Sequence, residues 1–188
     1  MLGGLRRSHV LGGVRRSLAS RMEPCDLYLI RHAIAAQRGE DWPDDTKRPL
    51  TETGTARFKE VVKGLAWLNV EIDEIFTSPL VRASQTAHLL ANGLANKAVV
   101  KTLEALAPGH PPGVVVTELS RVAKRRRIAL VGHEPDLGQL AAHLLGSPRT
   151  LPFKKGGACH IAVQGLTSRR PGELVWLLPP KVLRRLSR

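Results

Sequence analysis

The chain has 188 residues, and its 29 lysines and arginines against 16 acidic residues give a formal net charge of +13. This length suits one domain with a hydrophobic core and leaves little room for a second. No apolar run approaches the ~20 residues that cross a bilayer, so we expect a soluble protein. The only two cysteines, Cys25 and Cys159, are too few for a disulfide framework or a zinc knuckle. We predict that both are reduced core thiols, which favours a cytoplasmic location.

The first 21 residues differ in composition from the rest of the chain. They contain five arginines and no acidic residue, as organellar transit peptides do, but they lack the apolar core of about 7–15 residues that a secretory signal needs. Met22 stands four residues before the first predicted strand, where a compact domain would begin. We therefore predict that residues 1–21 are a disordered basic extension or an upstream false start, and that residues 22–188 form the domain.

Strand and helix patterns alternate along the remainder of the chain. Short apolar runs predict strands, and longer amphipathic segments predict helices. The predicted strands are 26–31, 73–77, 98–102, 128–132, 159–163 and 173–178, and the predicted helices are 52–68, 79–94, 112–125 and 136–145. Such alternation is typical of an α/β fold, and we expect a three-layer α/β/α sandwich with a mostly parallel central sheet.

Two helix starts carry capping signals. Thr51 stands before the first predicted helix and is the expected N-cap, with Gly54 a packing residue near that start. Ser78-Pro79 predicts an N-cap followed by proline at the first helical position of the next helix. This assignment places Arg82 one turn into that helix, near an N-terminus that favours anions.

Residues with phosphate-binding chemistry follow three of the predicted strands. Arg31 and His32 end the first strand, Arg82 follows the second, and His133 ends the fourth. Because ligands of α/β sheets bind outside the carboxyl ends of the strands, we expect these side chains to meet in one crevice. Each arginine can present a planar fork of donors to phosphate oxygens. The sequence therefore predicts a phosphate site.

The two histidines suggest a covalent mechanism. A neutral imidazole nitrogen attacks phosphorus, and the resulting phosphoramidate hydrolyses readily, so His32 is the candidate nucleophile. His133 is a candidate hydrogen-bond donor to the phosphoryl oxygens. No spacing of histidines, cysteines or carboxylates suggests a metal site, and we predict metal-independent catalysis with no cofactor. The other histidines of the predicted domain are interpreted as structural or bordering residues: His88, His110, His143 and His160.

Three ordered segments resemble the histidine phosphatase superfamily, which has the phosphoglycerate mutase-like fold. They are LIRHA at 29–33, TSPLVRASQTA at 77–87 and LVGHEPDL at 130–137. KRPLTETG at 47–54 and the lack of a large insertion make the chain most similar to the SixA-type phosphohistidine phosphatases. The resemblance covers residues 25–180. It implies that His32 accepts the phosphate and that Arg31, Arg82 and His133 complete the pocket. Ala33 stands where glycine often follows the histidine, and because alanine is small we expect no loss of activity.

The resemblance also raises the question of a catalytic acid. Many members of the superfamily supply a carboxylate after the third strand, and Glu104 lies in the corresponding place. An alkoxide leaving group needs such a proton donor, whereas the imidazole of a phosphohistidine leaves more easily. Glu104 is therefore a candidate acid, a positioning residue or a salt-bridge partner.

The expected function is a phosphatase acting on phosphohistidine of a signalling or phosphotransfer protein, because short connections imply an open pocket. A phosphatase of small phosphomonoesters is the alternative, and a mutase is disfavoured because no lid shields a phosphoenzyme from water. A non-enzymatic alternative is a basic module that binds nucleic acid or acidic partners. That alternative rests on charge alone, since one tyrosine and three phenylalanines offer little base stacking. The sequence does not indicate an oligomeric state.

Overall fold

The central sheet has six strands, and five of them run in the same direction. The computed structural model describes residues 24–168 and 170–186. The strands are β1 (Cys25–Arg31), β2 (Glu74–Thr77), β3 (Val99–Thr102), β4 (Arg127–Gly132), β5 (Ala158–Val163) and β6 (Glu173–Leu178). They are ordered β3-β2-β4-β1-β5-β6, and β5 is antiparallel to both of its neighbours. The prediction of a mostly parallel sheet is confirmed.

Helices cover both faces of this sheet. They are α1 (Glu52–Trp67), α2 (Val81–Gly93), α3 (Pro112–Val122), α4 (Asp136–Leu145) and α5 (Pro180–Leu186). Side chains alternate along β1, so Leu27 and Leu29 join one core with α3 and α4, while Tyr28 and Ile30 join another with α1, α2 and α5. The predicted three-layer α/β/α sandwich is therefore correct.

Two helix boundaries differ from the sequence-based expectation by more than one residue, and one helix was not predicted. α3 ends at Val122 rather than 125, because the backbone N–H groups of Lys124 and Arg125 donate to the Glu74 carboxylate instead of continuing the helix. α2 begins at Val81 rather than 79, and its N-cap is Leu80. α5 was not predicted. It is short, and its fully buried Leu183 packs against α1, where a side chain at Gly64 would collide with the Leu183 backbone.

The remaining predictions about the fold concern the cap of α1, the two cysteines and the N-terminal segment. The Thr51 hydroxyl accepts from the Gly54 N–H at 2.9 Å, which confirms it as the N-cap of α1. Cys25 and Cys159 are buried free thiols, as predicted. Within the described ranges, no helix is long and apolar enough to span a membrane. Residues 1–21 lie outside the described residues, so the interpretation of that segment stays a prediction.

Candidate active site

The carboxyl ends of β1, β4 and β2 bring the predicted phosphate-binding residues together. Parallel pairing sets Arg31 opposite Gly132 and Thr77 opposite Val131, so the residues that follow lie at one level. The backbone N–H of His32 donates to the Gly132 carbonyl at 3.0 Å and locks the end of β1 against β4. The rings of His32 and His133 lie 5.0 Å apart between centroids, and both side chains are buried.

The hydrogen bond that His32 makes determines which of its nitrogens is reactive. Its Nδ1 lies 2.7 Å from the Ala33 carbonyl oxygen, which can only accept, so Nδ1 carries the proton. Burial lowers the pKa of His32 to about 4, and the charges of Arg82, Arg31 and Lys155 act in the same direction. The ring is therefore neutral near pH 7, and its lone pair resides on Nε2. This is the protonation state that a histidine nucleophile needs.

The two arginines are anchored through their terminal nitrogens. Arg31 Nη1 donates to the Phe153 carbonyl at 2.6 Å. Arg82 donates twice to Asp45, from Nη1 to the backbone carbonyl at 2.7 Å and from Nη2 to the carboxylate at 2.9 Å. Asp45 thus takes one N–H from each terminal nitrogen of Arg82, and each of these nitrogens keeps a second N–H that can donate to a ligand. The Nε–H groups of Arg31 and Arg82 are buried and have no partner among the described residues.

His133 contributes a third buried nitrogen without a partner. Its Nε2 lies 2.8 Å from the Ser78 hydroxyl, while its Nδ1 has no hydrogen bond to any described residue. Burial, together with the neighbouring His32, Arg82 and Arg31, lowers the pKa of His133 to about 3. An unpaired buried polar group costs about 1–3 kcal/mol. Three such groups beside one neutral histidine indicate a site built to receive an oxygen-rich anion.

Four residues that the sequence did not single out for the site support it. Asp45 holds Arg82, and Arg38 and Arg48 also bond to it. Burial raises the pKa of Asp45, but the hydrogen bonds from Arg38 and Arg48 and the charge of Arg82 outweigh that effect and hold the pKa well below its usual range. Asp45 is therefore an anion that orients arginine, and its low pKa makes it a poor proton donor.

The segment 77–87 supplies two of the other supporting residues. Ser78, expected as an N-cap, instead bonds to His133, and this expectation is corrected. Thr86 accepts from the Ala33 N–H at 3.0 Å and donates to the Arg82 carbonyl at 2.7 Å. Ser78, Arg82 and Thr86 are spaced four residues apart, and this regular spacing is the signal that could have indicated their shared role.

Glu134 is the fourth supporting residue. Its carboxylate accepts a hydrogen bond from the Phe153 N–H at 2.9 Å. The carbonyl of Phe153 in turn accepts one from Nη1 of Arg31. Burial raises the pKa of Glu134, while Phe153 and Arg31 oppose that effect. The loop after β4 therefore positions the arginine at the end of β1 through the segment around Phe153.

The other residues considered in the sequence make no hydrogen bond or ion pair with the described residues of this cluster. Glu104 follows β3 at the same edge of the sheet, is exposed, and its side chain has no hydrogen bond or ion pair to another described residue. His88, His110 and His143 are exposed. His160 is mostly buried and lies 2.7 Å from Asp26. In the described part of the chain, no three histidines, cysteines or carboxylates cluster in a way that could hold a metal ion.

Comparisons with known proteins find similar sequences and similar folds. The profile of the histidine phosphatase superfamily (branch 1) matches residues 27–107. An uncharacterized protein of Picosynechococcus sp. is 35% identical over 164 residues, which cover 84% of this chain and 98% of that protein. The phosphohistidine phosphatase SixA of Escherichia coli is 28% identical over 120 residues, 63% of this chain and 73% of SixA.

Among solved structures, the protein histidine phosphatase SixA complexed with tungstate superposes with a TM-score of 0.71. The match covers 84% of this chain and 99% of that one, at 24% identity, and it shows a shared fold.

Proposed function

The chain belongs to the histidine phosphatase superfamily and is a phosphatase, and we propose that it removes the phosphoryl group from phosphohistidine on a signalling or phosphotransfer protein. The observation that carries the proposal is the neutral His32, with Nε2 available, beside three buried N–H or ring nitrogens that have no partner among the described residues. This arrangement offers a nucleophile and a set of hydrogen bonds for a phosphoryl group in one place.

The reaction proceeds in two displacements. The Nε2 lone pair of His32 attacks phosphorus, the P–N bond to the substrate imidazole breaks, and that imidazole leaves with a proton from solvent or one it already carries. Water then attacks the phosphorus on His32, the P–Nε2 bond breaks, and inorganic phosphate is released. Arg31, Arg82 and His133 hold the phosphoryl oxygens throughout, so charge that shifts among those oxygens meets fixed donors.

Phosphohistidine suits this site because its leaving group needs little help. Asp45 is held as an anion by arginines, and the exposed Glu104 has no partner that would orient it among the described residues. An alkoxide would need a well-placed acid, whereas an imidazole does not. The second candidate, a phosphatase of small phosphomonoesters, depends on Glu104 at the carboxyl end of β3 acting as that acid.

Metal-independent catalysis and a cytoplasmic location are parts of the same proposal. The positive charge around the site comes from the side chains of Arg31 and Arg82, and Lys155 also acts electrostatically on His32. These side chains supply the charge that a metal ion gives other phosphoryl-transfer enzymes. Two buried free thiols suit a reducing compartment.

The test uses a histidine phosphocarrier protein phosphorylated with phosphoramidate. Wild type should release phosphate from it, with or without chelator, while His32→Ala should release none above the spontaneous rate. His88→Ala removes an exposed histidine from α2 and should behave as wild type. Release of phosphate from p-nitrophenyl phosphate but not from the carrier would overturn the phosphohistidine assignment, and loss of activity with chelator would overturn metal independence.

A further inference from the structure

The proposed reaction needs His133 to donate a hydrogen bond, but a neutral imidazole carries only one proton. That proton resides either on Nε2, next to Ser78, or on Nδ1, the buried nitrogen without a partner. Only the second tautomer gives the pocket a third donor beside the Nε–H groups of Arg31 and Arg82. The first would turn a lone pair toward the phosphoryl oxygens and repel them.

The surroundings of Ser78 distinguish the two tautomers. Ser78 is fully buried, and its hydroxyl oxygen already accepts from the Leu80 N–H at 3.3 Å. A hydroxyl has one proton to donate, and among the described residues the acceptor in reach is Nε2 of His133, at 2.8 Å. If Nε2 carried the proton instead, the Ser78 hydroxyl proton would be buried without an acceptor, which costs about 1–3 kcal/mol.

We propose that Ser78 is a positioning residue that donates its hydroxyl proton to Nε2 of His133 and thereby fixes the ring proton on Nδ1, where it faces the phosphoryl group. The proposal rests on the proposed function for its catalytic meaning. Ser78 itself does not touch the substrate. It acts by converting His133 from a proton acceptor into a donor at the pocket.

The backbone holds Ser78 in place for this role. Its N–H donates to the Val131 carbonyl at 3.0 Å, so the end of β2 is tied to β4 two residues before His133. The Leu80 N–H donates to the hydroxyl oxygen, which leaves the hydroxyl proton to point toward Nε2 of His133. Burial of the ring and the charges of Arg82 and Arg31 keep His133 neutral, so the ring carries only the one proton that Ser78 directs.

The direct test is nitrogen-15 NMR of the histidine side chains in wild type and in Ser78→Ala. Two-bond nitrogen–proton correlations distinguish a protonated from an unprotonated ring nitrogen, and His133→Gln assigns the signals. Wild type should show His133 protonated on Nδ1 only, and Ser78→Ala should shift the population toward Nε2–H. His32, whose Nδ1 donates to Ala33, should keep its tautomer in both proteins.

Kinetics with the phosphorylated carrier protein provide the second readout. Ser78→Ala should lower kcat by about 10- to 100-fold, less than the loss of a whole donor. Ser120→Ala, which removes another buried hydroxyl, on α3, should leave kcat within about twofold of wild type. Ser78→Thr keeps the hydroxyl, and it should retain the wild-type tautomer and most of the activity.

The two readouts separate the possible failures. Protonation of His133 on Nε2 in wild type would overturn the role of Ser78 whatever the activity. An unchanged kcat in a folded Ser78→Ala protein would also overturn it. A wild-type protein that shows the Nδ1 tautomer but does not release phosphate from the carrier would instead contradict the proposed function.

Discussion

The hydroxyl of Thr86 accepts a hydrogen bond from the backbone N–H of Ala33, the residue that follows His32, at 3.0 Å. The same hydroxyl donates to the carbonyl of Arg82 at 2.7 Å. Because Thr86 is fully buried, no water can replace either bond. One side chain of α2 thus sets the distance between the predicted nucleophile at the end of β1 and a predicted phosphate-binding arginine.

Replacing Thr86 with valine tests this link. Thr86→Val keeps the side-chain shape but leaves the Ala33 N–H buried without an acceptor, so the free energy of unfolding should fall by about 1–3 kcal/mol. Phosphatase activity should fall as well, because the backbone beside His32 loses its anchor. Thr86→Ser restores the hydroxyl and should recover both quantities in urea unfolding and phosphate-release assays. If Thr86→Val had the same free energy of unfolding and the same activity as wild type, the anchoring role of the Thr86 hydroxyl would be contradicted.

Asp45 should affect catalysis through its bonds to Arg82. Asp45→Asn removes the carboxylate charge that holds the Nη2 group of Arg82, and we expect kcat/KM to fall about tenfold because the arginine is less well oriented. Arg38→Ala is the matched control, since Arg38 bonds to the same carboxylate but is mostly exposed. Its effect should stay within about twofold. If both variants changed kcat/KM equally, orientation of Arg82 would not be the function of Asp45.

The stability of the protein should depend on pH through His32 and His133. An unfolded histidine takes up a proton near its ordinary pKa of 6.5, whereas burial keeps His32 neutral down to about 4 and His133 down to about 3. Between those values the unfolded chain binds more protons, so stability is complete above about pH 6.5 and falls as the pH falls. The loss of stability levels off below about pH 3, where both histidines are protonated in the folded protein as well.

The measurement is urea unfolding at a series of pH values. Each buried histidine should contribute a slope on the order of 1 kcal/mol per pH unit within that window. His32→Gln should therefore show a shallower pH dependence than wild type. His88→Gln, on the exposed face of α2, should leave the slope unchanged. A slope in His32→Gln as steep as in wild type would show that His32 is protonated in the folded protein.

Glu104 distinguishes the two substrate classes. Glu104→Gln should leave phosphohistidine turnover within about twofold of wild type, because the imidazole leaving group does not depend on an acid from the protein. Any turnover of p-nitrophenyl phosphate or glycerol phosphate should fall much further if Glu104 protonates the leaving oxygen. Equal losses on both substrates would assign Glu104 a structural or positioning role.

The sequence predicted the sheet and the core of the site because both depend on local signals. Apolar runs indicated the strands, and parallel strands must place their carboxyl ends at one edge, which brought Arg31, His32 and His133 together. The polar residues that support them were not predicted in the same way. Asp45 reaches Arg82 across 37 residues of sequence, and only the folded chain shows that contact.

Ser78 shows how a local signal can mislead. Serine followed by proline is a common start of a helix, and the sequence therefore assigned Ser78 as an N-cap. In the structure the hydroxyl bonds to His133, 55 residues away, and the helix begins at Val81. Helix α5 was not predicted for a related reason. It is stabilised by the packing of Leu183 against α1, a long-range contact that a local sequence pattern does not indicate.

The central claim is that Nε2 of His32 carries the phosphoryl group between the two displacements. The most direct measurement is a rapid-quench experiment under alkaline conditions, in which wild type is mixed with the phosphorylated carrier protein and analysed by mass spectrometry. We predict a transient adduct of one phosphoryl group on the peptide that contains His32, stable to alkali and labile to acid, and absent from His32→Ala. Phosphate release from the carrier without any adduct on that peptide, or release that persists in a folded His32→Ala protein, would contradict the account.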